Sequence, residues 1–390
     1  MDKPDKKIFA TLFFSIFVTV TGVGIVVPLL PVYAHDLGAN GLYTGLVFGI
    51  FSLSRTICMP YFGSQSDRKG RKPYILAGLL AYAFISVAFM FSHNVETLIG
   101  VRFIQGIASA MIMPVVQAYI GDITPDGREG TTMGLFNMSL FIGLSIGPLA
   151  GGVLKDFFSL RYSFACMGIL ALTGFFLSLF LLPPVKSERI ATSEKPPASW
   201  KSILKDREIA GLFSLRFAYM FCIGIIWSFL PIFADSEFSV SSSHIGGLVT
   251  LGVLIPGLMQ TPLGLLADRT NRKNMALFGG LITSFGIFYF VLSEGFWDLF
   301  WANVIFGIGG GIAMVPVMAT ALQKGARLGA MGSVMALMTM GHSMGMLAGS
   351  VLAGIMMDLF HLRHAFSSGA FIMITGVGIF FACSYRKRMQ

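Results

Sequence analysis

The stretch GSQSDRKGRK, residues 63–72, returns once along the chain as GLLADRTNRK, residues 264–273, at an offset of 201 residues. Each copy holds a glycine, an Asp-Arg pair and, three residues further on, an Arg-Lys pair. Self-similarity at a fixed offset is the sequence signature of a structural unit that is used more than once. The fold prediction therefore begins from two related halves.

Two further matches support the repeat. GLSIGPLAGG at 143–152 returns as GHSMGMLAGS at 341–350 and keeps three glycines. GIVVPLLPVYAHD at 24–36 returns as GIIWSFLPIFADS at 224–236. Because three separate matches at a nearly constant offset are hard to obtain by chance, we expect two structurally related bundles.

The composition places both bundles in a membrane. Of the 390 residues, 55% are apolar and 12% are charged, about half the charge of an ordinary soluble domain. These charges are too few to coat a soluble surface, which argues against a soluble enzyme, a disordered chain and a nucleic-acid binder despite the formal charge of +9. Polar breaks divide the chain into stretches near the 20 or so residues that a helix needs to cross a bilayer, without the alternation of a β-barrel. The twelve predicted spans lie at about 8–34, 41–62, 73–92, 97–121, 131–154, 162–183, 209–234, 244–266, 275–293, 297–322, 331–357 and 364–385.

The longest polar stretch, residues 183–208, lies near the middle of the chain and carries prolines and mixed charge. Such a stretch is typical of a linker. The predicted organisation is an N-terminal six-helix bundle at 1–183, a cytoplasmic linker at 184–208 and a C-terminal six-helix bundle at 209–390.

The positions of lysine and arginine predict the orientation. If the N-terminus is cytoplasmic, 22 of the 28 cations lie on the cytoplasmic side, three lie opposite and three lie inside spans. Both termini are therefore expected in the cytoplasm, and the basic charge needs no polyanionic partner. The four cysteines stand singly inside apolar runs, a spacing that gives neither a zinc site nor a disulfide framework. We expect no metal and no cofactor.

In this order the motifs resemble those of the major facilitator superfamily, over essentially the whole chain. GSQSDRKGRKP resembles its signature loop, RFIQG in span 4 its second motif, and GLSIGPLAGG in span 5 the motif of its twelve-span drug:proton antiporters. The resemblance implies an all-α integral membrane fold, with twelve transmembrane helices in two pseudo-symmetric six-helix bundles around a central cavity. It also implies a monomer that works by alternating access.

For the signature loop, the resemblance implies a conformational lock in which Asp67 holds the halves together, with Asp122 and Arg71 in its charge network. The alternative is a loop that only fixes topology. The second copy departs from the pattern with Asn271 in place of Gly70. The lock candidates are Gly63, Asp67, Arg68, Gly70, Arg71, Lys72, Asp122 and Arg128, with Gly264, Asp268, Arg269, Arg272 and Lys273 in the second half.

Small residues four apart in span 5 let helices approach closely, and its proline bends the axis. The resemblance adds the role of a pivot or seal in alternating access. Span 11 repeats the glycines but has Met346 in place of the proline. The antiporter-motif candidates are Gly143, Gly147, Pro148, Gly151 and Gly152.

All nineteen acids are assigned to loops or span ends, whereas three arginines and a histidine lie inside spans. A central arginine costs roughly 2.5–3.5 kcal/mol on insertion scales, so it is normally paired or faces water. Arg55 lies close enough to a span end to snorkel, and Arg216 is open between substrate contact and interhelical hydrogen bonding. His342 titrates near neutral pH unless it is bonded to a neighbouring helix. The candidates for a proton and substrate cavity are Arg102, Gln105, Gly106, Gln117, Arg216 and His342.

The leading function is secondary active transport, namely proton-coupled efflux of a hydrophobic small molecule or drug across the cytoplasmic membrane. No G-x-x-x-x-G-K-[ST] loop is present, so ATP drive is not expected. With arginines and no carboxylate inside the spans, neutral, zwitterionic or anionic substrates are favoured over permanent cations. The alternatives are a carrier, with or without proton coupling, for an organic anion, metabolite or lipid-like molecule, and a membrane sensor built on a transporter fold. A membrane enzyme is not expected, because no catalytic cluster assembles within the spans.

Overall fold

The structure, a computed structural model, describes residues 3–123, 129–183, 203, 205–328 and 331–385. Within these ranges the regular structure is helical, and twelve helices are long and apolar enough to cross a membrane. The predicted all-α, twelve-span fold is confirmed. The spans are Lys3–Val26 (continued by a 3-10 turn Val27–Leu29 and a helix Leu30–Asp36), Gly41–Lys69, Arg71–Met90, Val95–Asp122, Glu129–Phe157, Leu160–Leu181, Arg207–Phe238, Ser242–Arg269, Arg272–Tyr289 (followed by a 3-10 turn Phe290–Leu292), Phe296–Arg327, Met331–Leu359 and Leu362–Tyr385.

The two signature stretches are mostly helix. Span 2 continues to Lys69 and span 3 begins at Arg71, so the chain reverses over Gly70. Gly70 has a φ of 90°, a conformation that glycine adopts without strain. At the equivalent position Asn271 has a φ of −73°, and its side chain accepts hydrogen bonds from the backbone N–H groups of Lys273 and Asn274. The second corner is thus closed by a helix cap, which explains why asparagine replaces the glycine.

The chain forms two compact units. The first holds spans 1 and 3–6, span 2 from Ile50 onward and Ser241–Thr250 at the start of span 8. The second holds Asn40–Gly49 at the start of span 2, spans 7 and 9–12, and span 8 from Leu251 onward. Each unit therefore includes the first turns of one helix whose remainder belongs to the other unit. A division of the chain into two sequence halves does not reproduce this exchange.

Both units are organised around their first helix. In the first unit span 1 packs against spans 5 and 6, and in the second unit span 7 packs against spans 11 and 12. These are repeat-equivalent pairs. The cores are apolar, and their largest fully buried side chains include Phe89 and Phe164 in the first unit and Phe229 and Phe366 in the second.

Candidate functional site

The signature corner of the first unit is built around Arg71, whose exposed fraction is 6%. Its Nε donates to Asp122 Oδ2 at 3.1 Å, and its Nη1 donates to Ser66 Oγ at 2.8 Å. Lys72 Nζ donates to the carbonyl oxygens of Leu179 and Leu182 at the end of span 6. The structure therefore brings Arg71 and Asp122 together and ties this corner to spans 4 and 6.

The corner of the second unit repeats this plan with different partners. Arg272 Nε donates to the Ala267 carbonyl at 3.2 Å, and its Nη1 lies 3.5 Å from Gln323 Oε1. Gln323 is the repeat equivalent of Asp122, so an amide stands where the first unit has a carboxylate. Lys273 Nζ donates to the Ser384 carbonyl in span 12, as Lys72 does to span 6.

A charge network that the sequence did not suggest lies beside this second corner. Lys324 Nζ is 3.0 Å from Asp206 Oδ2 and 2.9 Å from Glu208 Oε2, and Glu208 also pairs with Lys273. Burial raises the pKa of Asp206, but the hydrogen bond and charge of Lys324, together with backbone N–H donors, outweigh it and hold that pKa below its usual range. The network remains charged at neutral pH.

Some lock candidates lie where geometry is not described. Arg128 is outside the described residues, and the side chains of Asp67, Arg68 and Asp268 are outside the described side chains. Gly63 and Gly264 are helical positions at which an added Cβ would have no heavy atom within 4 Å, and Arg269 is exposed. The role of Asp67 stays a prediction.

The antiporter motif of span 5 faces two neighbours. A side chain at Gly143, Gly147 or Gly151 would overlap the backbone of span 1, so these glycines allow direct contact between the two helices. Gly152 lies against the backbone of Ser242, and the Pro148 carbonyl lies against Gly246, both at the start of span 8. The motif thus holds span 1 on one face and the first turns of span 8 on the other.

Two carboxylates missed by the sequence analysis cap the starts of spans 2 and 8. Asp358 accepts from the N–H groups of Gly41 and Leu42 at 2.6 and 2.9 Å. Asp156 accepts from the N–H groups of Ser242 and Ser243 at 3.2 and 2.8 Å, and from Ser243 Oγ. The first N–H groups of a helix lack partners within it and carry partial positive charge, which a carboxylate neutralises.

We expect Asp156→Ala to loosen the start of span 8, because Ser242 and Ser243 lose their acceptor. Hydrogen bonds to charged groups contribute about 1.5–3 kcal/mol, so hydrogen exchange of residues 242–246 should accelerate about tenfold or more. Asp235→Ala, which removes an exposed carboxylate at the end of span 7, is the matched control and should leave this exchange unchanged. Equal exchange in Asp156→Ala and the parent protein would contradict the capping role.

The first intramembrane arginine, Arg102 in span 4, is 2% exposed. Its Nη1 donates to Gln105 Oε1 at 2.6 Å, and its guanidinium carbon lies 4.4 Å from the ring centre of Phe51 in span 2. The two helices meet at Gly106, where a side chain would overlap Ser54 and the Phe51 carbonyl. Amide and ring are both neutral partners for the cation.

The structure does not bring Gln117 into this cluster, since fifteen residues of helix place it about 22 Å along the axis from Arg102. Arg55, one turn after Phe51, instead lies nearby, with both arginines close to Tyr82. Arg55 Nε is buried and has no hydrogen-bond partner in the described structure. The Arg55 residue as a whole is half-buried, and its snorkelling stays a prediction.

The second intramembrane arginine contacts the intramembrane histidine. Arg216 Nη2 in span 7 lies 3.1 Å from His342 Nδ1 in span 11. Of the two interpretations left open for Arg216, the structure contains the interhelical hydrogen bond, and substrate contact stays a prediction. Gly341 and Gly345, on either side of His342, pack directly against Phe213 and the Phe217 backbone of span 7, which brings the two side chains within reach.

Comparison with known proteins identifies the architecture. The family model described as Major Facilitator Superfamily matches residues 12–236 and again residues 212–389. Multidrug resistance protein 2 of Bacillus subtilis is 27% identical over 383 residues, covering 96% of this chain and 94% of that protein. Quinolone resistance protein NorA of Staphylococcus aureus is 34% identical over 191 residues, 49% of each chain.

A solved structure shows the same fold. The crystal structure of a bacterial homologue of the human lysosomal transporter Spinster, in an inward-facing and occupied conformation, superposes with a TM-score of 0.83 at 14% identity, covering 98% of each chain. The family model spans nearly the whole chain, and the twelve helices, the duplicated corners and this superposition agree with it. The protein is therefore a multi-pass membrane transporter that belongs to the Major Facilitator Superfamily.

Proposed function

We propose that this transporter exports a hydrophobic small molecule or drug across the cytoplasmic membrane in exchange for protons, by alternating access. The similarity to a multidrug resistance protein over almost the full length supports a drug substrate. We further propose that the transporter is a monomer. The distribution of lysine and arginine supports the proposal that both termini lie in the cytoplasm.

One observation carries the proposal for the substrate. Each unit holds an arginine inside its helices, and the partners of these arginines include neutral groups, Gln105 and Phe51 for Arg102, and His342 for Arg216. Among the described residues, the acids of the spans stand near helix ends. Because a cation inside a low-dielectric environment repels other cations, neutral, zwitterionic and anionic molecules are the proposed substrates.

The two motif regions have assigned roles in this proposal. The Arg71–Asp122 corner, with Asp67, acts as the lock of one transport state. The glycine and proline face of span 5 acts as the pivot, which the contacts of Gly151 with span 1 and of Gly152 with span 8 support.

The same arginines favour a second candidate, a carrier for an organic anion, metabolite or lipid-like molecule that works without proton exchange. A guanidinium binds carboxylate and phosphate groups through paired hydrogen bonds. Whether protons move with the substrate separates the two candidates.

We expect inside-out membrane vesicles with an acidic lumen to lose protons when a substrate is added. Three probes cover the charge classes: chloramphenicol is neutral, nalidixate is an anion and tetraphenylphosphonium is a permanent cation. A lumenal pH dye should report proton loss with one of the first two probes, and Arg102→Ala should abolish it because the buried cluster of span 4 is lost.

Arg161→Ala, which removes an exposed cation at the start of span 6, is the control and should transport normally. No proton movement with any probe, from folded protein, would favour the uncoupled carrier. Saturable transport of tetraphenylphosphonium that Arg216→Ala leaves unaffected would contradict the predicted substrate charge.

A further inference from the structure

The contact between Arg216 and His342 fixes the protonation state of the histidine. A guanidinium carries N–H donors and no acceptor, so the 3.1 Å contact requires a lone pair on His342 Nδ1. The imidazole is therefore neutral in this structure, with its proton on Nε2. A proton arriving at Nδ1 would remove the acceptor and place two cations about 3 Å apart.

The surroundings contain no carboxylate that could neutralise a second charge among the described side chains. Span 11 packs against spans 7, 10 and 12 and against the start of span 2. Apart from Arg216, the charged side chains described on these elements lie within about one turn of a helix end. The titratable and charged groups on them are Arg207, Glu208, Arg216, Tyr219, Cys222, Asp235 and Glu237 in span 7, Asp298, Lys324 and Arg327 in span 10, Asp358 in span 11, Arg363, His364 and Cys383 in span 12, and Tyr43 in span 2.

The repeat indicates that the pair is not needed for packing. In the motif alignment His342 stands opposite Leu144, and Arg216 stands opposite Ile16, so the first unit has apolar residues at both positions. Spans 1 and 5 nevertheless pack through the equivalent glycines, which contact span 1 one helical turn further along than the glycines of span 11 contact span 7. The second unit thus keeps a polar, ionisable pair inside the membrane, where such groups are costly.

We propose that His342 is the proton-binding group of the transport cycle and that the proton and Arg216 compete for its Nδ1. The inference rests on the proposed function and assigns its coupling site. Proton binding forms an N–H bond at Nδ1 and ends the hydrogen bond from Arg216; proton release to water restores it.

Competition at Nδ1 also assigns the exchanged substrate class. With the proton bound, His342 and Arg216 carry like charges about 3 Å apart, and these repel each other unless water or an anion lies between or beside them. We infer that a neutral hydrophobic molecule beside the pair displaces the water that screens this repulsion, so that the molecule and the proton bind alternately, which is the condition for exchange. An anion would instead stabilise the doubly charged pair and bind together with the proton. Neutral substrates are therefore the ones exchanged for protons.

The first test measures the protonation of the His342 ring nitrogens directly and needs no transport assay. Full-length protein labelled with 15N-histidine is placed in lipid nanodiscs, and the signals missing in His342→Gln identify His342. At pH 8 we expect a neutral ring with the proton on Nε2, and on acidification we expect a proton on Nδ1. His364→Gln, an exposed histidine of span 12, should leave the His342 signals unchanged. A proton on Nδ1 at pH 8, or a ring that stays neutral on acidification until the protein unfolds, would overturn the proposal.

The second test reads coupling. In weakly buffered solution, chloramphenicol binding should release protons from the parent protein and from His364→Gln, whereas His342→Gln should lose this release. An unchanged free energy of unfolding of His342→Gln in mixed micelles shows that the lost release is not a loss of folded protein. Nalidixate binding should take up protons. Proton release retained in His342→Gln would overturn the coupling role. If the parent protein neither binds nor exchanges chloramphenicol or nalidixate, the proposed function fails, and the histidine titration still decides the proton site.

Discussion

Gly151→Val is expected to destabilise the first unit by about 3 kcal/mol, at the upper end of the usual cost of overpacking. A side chain at Gly151 would overlap the carbonyl and Cα of Ile25 in span 1. Backbone atoms cannot change rotamer to avoid the overlap as a flexible side chain can. The two helices must therefore separate, and the neighbouring glycine contacts between them are lost as well. The measurement is the free energy of unfolding in mixed micelles, with the yield of monodisperse protein as a second readout.

Gly100→Val is the matched control. Gly100 also lies inside a membrane helix, span 4, but nothing lies within 4 Å of the position that its Cβ would take. Both substitutions carry the same change in helix propensity, which removes that contribution from the comparison. Equal stabilities of the two variants would show that span 5 does not pack on span 1 through Gly151.

The second large effect is expected from Arg71→Met. Methionine keeps most of the side-chain volume but leaves Asp122 and Ser66 without their donor in a corner where Arg71 is 6% exposed. A hydrogen bond to a charged group contributes about 1.5–3 kcal/mol, and we expect the free energy of unfolding to fall by that amount. The free energy of unfolding should fall by less in Asp122→Asn, since the amide oxygen of the asparagine still accepts a hydrogen bond from Arg71.

The repeat supplies the control in Arg272→Met. Arg272 holds a carbonyl at 3.2 Å and an amide at 3.5 Å, and no carboxylate stands opposite it at position 323. The loss should be smaller than in Arg71→Met, because position 323 offers an amide oxygen where position 122 offers a carboxylate. If Arg272→Met is as destabilising as Arg71→Met, the ion pair with Asp122 is not what stabilises the first corner.

The twelve spans were predictable because bilayer thickness dictates an apolar length that few other structures need. The residues at which the spans end were harder to predict, since the helices continue beyond the apolar stretches into polar sequence. Span 10, predicted to end near 322, ends at Arg327, where Lys324 and its acidic partners extend the last turns. The corner at Gly70 was predicted as a loop, yet a single glycine with positive φ suffices to reverse the chain.

The pairing of Arg216 with His342 was out of reach of the sequence. Spans 7 and 11 are apolar almost all round, so no polar stripe fixes which face of each helix meets the other. The two residues are 126 positions apart, and the glycine contacts of span 11 set their distance. The capping pair Asp156 and Asp358 did carry a signal, because the two stand close to the repeat offset from each other, as do the helix starts that they cap.

The starts of spans 2 and 8, each of which belongs to the opposite unit, determine what happens when the chain is divided into two fragments. A chain divided within residues 184–208 yields two fragments, and neither contains a whole unit: the N-terminal fragment lacks Ser241–Thr250, and the C-terminal fragment lacks Asn40–Gly49. Each fragment carries ten residues that complete the other. Each half of the chain thus supplies ten residues to the unit that is built mainly from the other half. A fragment made alone lacks the ten residues that complete its own unit.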